Sequence, residues 1–104
     1  MNYDTTPWGV QMTWANTKDY SGSVYIIKEG EQTPFGYYKS RDITILVLQG
    51  VVNLVLENRT KMLLEKDTYH INPQIMYQLV AVKGDATILE VGTRITSDFV
   101  EVMK

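Results

Sequence analysis

Seven or more short runs rich in β-branched and aromatic residues, at roughly ten-residue spacing, constrain this chain more than any other feature. Residues 12–15, 23–29, 43–57, 61–64, 68–72, 77–82 and 86–91 read as strands or strand pairs. Gly30, Gly50, Asn58-Arg59 and Lys83-Gly84-Asp85 read as the breaks between or within them. Pro73 bars a ladder hydrogen bond after the 68–72 run. Leu63-Leu64-Glu65-Lys66 is too short for a helix and has no cap before it. The pattern predicts an all-β sandwich or barrel.

One strand is unusual. Residues 43–48 (ITILVL) carry Ile43, Ile45 and Val47 on one face and Leu46 and Leu48 on the other. A half-buried strand alternates apolar with polar, so a cover is expected on both sides, the outer one being a second sheet or a second subunit. A homodimer is one expectation; an ordinary second core layer explains the pattern equally well.

Composition removes several functions. The chain has 104 residues, enough for one domain spanning 1–104. Its 44% hydrophobic and 21% charged residues are ordinary values for a folded chain. A net charge of −2 without a basic patch argues against nucleic acid. The absence of cysteine removes disulfides, thiolate metal sites and cysteine nucleophiles. No apolar run approaches the ~20 residues of a membrane helix. The start, Met1-Asn2-Tyr3-Asp4, has no charged-then-apolar signal pattern, so a cytoplasmic protein without a membrane partner is expected.

Four motifs then carry a resemblance. Pro7-Trp8-Gly9 stands near the start, and Lys28-Glu29-Gly30-Glu31-Gln32-Thr33 makes a charged turn before the apolar strand. That strand ends at Gly50, and Glu90-Val91-Gly92-Thr93 followed by Asp98-Phe99-Val100 closes the chain. In order and spacing these resemble the small single-domain cupins, in the branch similar to the C-terminal domain of type II mannose-6-phosphate isomerases. The resemblance spans about residues 7 to 101. It implies a jelly-roll β-barrel, the double-stranded β-helix.

The resemblance also implies a metal site that the residues do not supply. Counting back from Gly50, the family's two first-motif histidines fall on Tyr38 and Ser40, and its glutamate on Ile43; a register one earlier gives Tyr37 and Lys39. The second-motif histidine falls on Tyr77. A divalent ion needs imidazole or carboxylate donors converging at about 2.0–2.2 Å. Phenols, a serine hydroxyl and an isoleucine do not form that set. A cupin-like protein with no metal and no other cofactor is therefore expected. Tyr38, Ser40, Ile43 and Tyr77 are its candidate ligand-binding residues, with Tyr37 beside them. Aromatic faces with hydroxyl tips suit a sugar or sugar phosphate; the alternative is that these side chains simply fill the barrel.

The remaining candidates are weighed against plainer roles. Tyr38, Tyr77 and Glu90 are the catalytic candidates for a metal-free sugar isomerase or epimerase, which needs two proton-transfer groups flanking one carbon. Alternation places Glu90 with Ala86 and Ile88, and an exposed edge position is expected for it. His70, the single histidine, is expected on a strand away from the site. Arg41-Asp42 is expected as an exposed turn pair, Arg94 as a solvated loop residue, and Trp8 and Trp14 as core or interface anchors. A purely structural or partner-binding role is the third reading.

Overall fold

The computed structural model of the protein describes residues 2–103. Their backbone forms β1 (Asn2–Thr6), β2 (Gly9–Asn16), β3 (Ser21–Ile27), β4 (Gly36–Tyr38), β5 (Ile43–Leu56), β6 (Thr60–Leu63), β7 (Thr68–Ile71), β8 (Tyr77–Gly92) and β9 (Phe99–Glu101). No helix occurs among the described residues, so none is long and apolar enough to cross a membrane. Every strand pairing is antiparallel.

The two longest strands generate the architecture by serving both layers. Residues 86–92 of β8 lie between β3 and residues 43–47 of β5, and β2, β1 and β7 extend that layer. Residues 77–83 of β8 lie between β4 and residues 51–56 of β5, and β9 and β6 extend the second layer. The result is an all-β architecture of the kind the strand count predicts, in the jelly-roll form that the resemblance implies.

Gly50 and Gly84 do not end strands, which corrects the expected breaks. β5 and β8 run on for 14 and 16 residues. Gly50 has φ = 90° and Gly84 φ = 73°. Register jumps there, so that Gln49 faces Thr87 while Val51 faces Lys83, leaving residues 84–86 opposite Gly50 alone. A Cβ at Gly50 would lie 2.6 Å from the Asp85 carbonyl oxygen. Glycine in a strand marks a bulge as readily as an end, and a bulge bends the strand. That bend carries each strand from one layer into the other.

Three strands escape the sequence pattern: β1, β4 and β9. They are polar or very short, and β1 and β9 each pair on one side only. Residues 64–67 form a turn rather than a helix; Lys66 has φ = 74°, and the Leu64 N–H donates to the Asp67 carboxylate at 2.8 Å.

The core fills the space between the layers with alternate residues of each strand. Ile27, Ile45, Val47, Ala86 and Ile88 come from one layer, and Val52, Leu54, Leu63 and Ala81 from the other, all wholly buried. Fully burying one such aliphatic side chain is worth about 1.5–3 kcal/mol.

The outer face of the first layer has no second sheet over it among the described residues. Met12, Val24, Leu89 and Leu46 stand opposite one another in a half-buried apolar row across β2, β3, β8 and β5. Leu48 (47% exposed) and Val91 (43%) continue it. Trp14 is 50% exposed and lies over Gly22, where a Cβ would come within 2.3 Å of its ring. It is therefore not a core anchor, whereas Trp8 is buried.

Candidate functional site

Strand alternation turns a file of polar groups inward at one end of the barrel. On β3, Ser21, Ser23 and Tyr25 share the inner face with Ile27. On β8, Glu90 shares it with Ala86 and Ile88. Ser23 stands directly opposite Glu90 and Tyr25 opposite Ile88, so Tyr25 and Glu90 are diagonal neighbours within reach of long side chains. The Tyr25 hydroxyl donates to Glu90 Oε2 at 2.6 Å.

Arg41 enters from the loop between β4 and β5. Its Nη2 donates to Ser21 Oγ at 2.8 Å and to Glu90 Oε1 at 3.2 Å, with the Thr93 carbonyl at 3.4 Å. Both side chains of this ion pair are 1% exposed. The Ser21 hydroxyl in turn donates to the Thr93 carbonyl at 2.7 Å. Arg41 Cζ lies 4.7 Å from the centre of the Tyr38 ring, a cation–π contact. Its Nε has no hydrogen-bond partner among the described residues.

These positions correct two expectations. Arg41 is no exposed turn residue, and Glu90 is no exposed edge residue; each is buried because the other neutralises it. Asp42, the other half of the expected turn pair, is exposed and contacts His70, which lies on β7 away from the inner file. Arg94 is exposed, as expected.

Above the ion pair opens a cavity of about 270 Å³. Trp8, Tyr25, Tyr38, Tyr77 and Phe99 give it aromatic walls, with Thr6, Gln11 and Thr33 as the polar edge. The rings support one another edge to face: Trp8 on Tyr25 at 5.8 Å and Phe99 on Tyr38 at 4.9 Å between centroids. Burial, and then the Glu90 carboxylate, push the Tyr25 and Tyr77 phenols well above their ordinary value. Tyr38 is raised for the same reasons, against a smaller opposing pull from Arg41. All three are protonated at neutral pH. Burial works against the Arg41 charge, but Glu90 helps hold the guanidinium above its usual value.

Of the candidate ligand-binding residues, Tyr38 and Tyr77 line the cavity and Ser40 and Ile43 do not. Ile43 is 1% exposed in the hydrophobic core. Ser40 is exposed, and its hydroxyl and N–H both donate to Asp98, at 2.6 and 3.1 Å, which holds that carboxyl below its ordinary value. Tyr37 is half-buried outside the lining, as the alternation of adjacent residues requires. Arg41 and Tyr25 were missed. Their signal was present for Tyr25, which shares parity with Ile27 in an apolar strand; Arg41 is read only through its partner.

The residues present do not fit the divalent ion that the cupin resemblance implies. Among the described residues, no three His, Cys, Asp or Glu side chains converge. The one inward carboxylate has both oxygens engaged, by Arg41 and by Tyr25. A guanidinium already supplies positive charge beside it, and a second cation there would be repelled. The surrounding phenols hold their protons.

No family profile and no curated protein matches this chain in sequence. Solved structures do match in fold. KdgF from Halomonas sp. superposes with a TM-score of 0.84 at 19% identity, over 94% of this chain and 92% of its own. A cupin 2 domain-containing protein from Halorhodospira halophila gives 0.80 at 15% identity, over 89% of this chain and 69% of its own. A sugar phosphate isomerase of the cupin superfamily from Silicibacter pomeroyi gives 0.75 at 18% identity, over 83% of this chain and 59% of its own. The fold of this chain is the cupin double-stranded β-helix.

Proposed function

We propose that this protein is a metal-free, cupin-like binding protein that holds a small polar ligand, a sugar or sugar phosphate, in the cavity between Trp8, Tyr25, Tyr38 and Tyr77. The observation that carries the reading is an open aromatic cavity set over a buried Arg41–Glu90 pair. Ligand pockets start at about 300 Å³; a cavity of about 270 Å³ suits a single ring. Stacking faces and hydroxyl tips in one small volume match the two sides of a sugar. Residues 1–104 act as one such unit, within the branch resembling mannose-6-phosphate isomerase. Two copies pair through the uncharged row of Met12, Val24, Leu46 and Leu89, a self-complementary patch suited to a two-fold axis.

A sugar isomerase or epimerase is the second reading, favoured by the burial of Glu90 at the barrel centre. Against it, Glu90 does not line the cavity, and the three phenols that stand closer keep their protons at neutral pH. No base there is poised to exchange a proton with substrate.

Isotope-labelled protein treated with chelator tests the binding reading. Neutral monosaccharides and their phosphates are added while the indole N–H resonance of Trp8 is followed. Saturable shifts at Trp8 support it; no shift with any of them ends it.

A further inference from the structure

We infer that the cavity selects an uncharged, hydroxyl-bearing ring over its phosphorylated or carboxylated counterpart, with a ligand hydroxyl donating to Tyr25 Oη. This rests on the binding reading above and narrows it. Three observations carry it.

First, none of the side chains lining the cavity bears a charge. The groove beside it shares Trp8, Thr33 and Pro34, and the charged residue lining that groove is Glu101. An arriving anion therefore meets no cation and one carboxylate. Arg41 does not compensate: it is 1% exposed, sealed behind the Tyr38 ring, and neutralised by Glu90. At Tyr77 the pull of Arg41 does not offset burial and the Glu90 carboxylate, which push the phenol up. A phosphate carries about −1.5 to −2 charges at neutral pH, and desolvating it without a paired cation is costly.

Second, the hydrogen-bond polarity of the floor is fixed. A phenol has one proton to give, and that of Tyr25 is committed to Glu90 at 2.6 Å. What Tyr25 offers the cavity is an acceptor. A fully ionised phosphate or carboxylate group is acceptor-only and cannot fill the place opposite Tyr25; that place takes a ring hydroxyl.

Third, two donors wait for acceptors. Neither Tyr77 Oη nor Trp8 Nε1 is hydrogen-bonded to another described residue, and neither is wholly buried, so both stay open to water or to a ligand's acceptor. A polyhydroxylated ring presents both donors and acceptors, so one neutral ligand answers Tyr25, Tyr77 and Trp8 together.

The test uses the full chain carrying Trp14→Phe, which leaves Trp8 as the single fluorescent indole without touching the cavity. D-Mannose, D-glucose, D-fructose and myo-inositol are titrated alongside the phosphate ester of each. The inference expects a neutral member to bind at least about tenfold more tightly than its ester. It also expects Tyr25→Phe to weaken that binding by about 3- to 10-fold, the range for one neutral hydrogen bond. If Tyr25→Phe fails to fold, Tyr77→Phe serves in its place, with the same expected loss. An ester binding as well as or better than its parent overturns the inference while leaving the cavity a sugar site. Neutral binding unchanged in the folded phenylalanine variant overturns the hydrogen-bond assignment. Silence from both classes overturns the binding reading itself, and this inference with it.

Discussion

Replacing Arg41 by methionine isolates what the buried ion pair contributes. The guanidinium and the Glu90 carboxylate are each 1% exposed and 3.2 Å apart. Removing the cation leaves Glu90 buried with a single donor, Tyr25. Breaking a buried pair from one side costs about 3–5 kcal/mol. Against a total stability of about 5–15 kcal/mol for an ordinary domain, that is a third or more. Arg41→Met with Glu90→Leu removes the orphaned charge as well and should recover most of the loss, since apolar replacements of a buried pair are often neutral or stabilising. Urea denaturation of the wild type, both single variants and the double variant closes the cycle. A deficit below about 1 kcal/mol, or a double variant no more stable than Arg41→Met alone, would refute a dry, mutually dependent pair.

Other consequences follow from the same geometry. Tyr25, Tyr38 and Tyr77 are raised in the folded state, so their contribution is complete below about pH 10 and falls as pH climbs toward the folded values. The slope reaches about 1.4 kcal/mol per pH unit for each of the three, and their phenolate absorbance should appear only with unfolding; ionisation of any of these three, assigned by Tyr→Phe variants, within the folded protein would contradict this. Gly50→Val should lose more than about 1–2 kcal/mol in thermal or urea denaturation, because its φ of 90° and the Asp85 carbonyl at 2.6 Å admit no Cβ. Leu46→Lys with Leu89→Lys should convert a dimer into a folded monomer by light scattering, and a monomeric wild type would remove the proposed pairing.

The strands were legible where alternation carried them. Residues 61–64 and 68–72 match β6 and β7 to within one residue at each end, and residues 12–15 fall inside β2, which starts three residues earlier. Gly50 and Gly84 misled, because a glycine alone does not distinguish a bulge in a bent strand from its end; the register across 30-odd residues of chain decides it. Alternation did place Glu90 beside Ala86 and Ile88, all inward. The ordinary cost of burying a carboxylate pointed the other way. Its resolution lies in Arg41, 49 residues earlier in a loop whose path no local pattern specifies. The same long-range closure explains Ser40, which the ligand register placed in the site and which Asp98 instead holds at the surface. Tyr38 and Tyr77 line the cavity; they stand where the resemblance puts two of the family's histidines.

The most direct test of the account is a crystal structure of the protein grown with excess manganese, nickel or zinc, read through an anomalous-scattering map. No peak is expected between Glu90, Tyr38 and Tyr77, with Arg41 still on the Glu90 carboxylate. A peak ligated by Glu90, with the guanidinium swung aside, would contradict it.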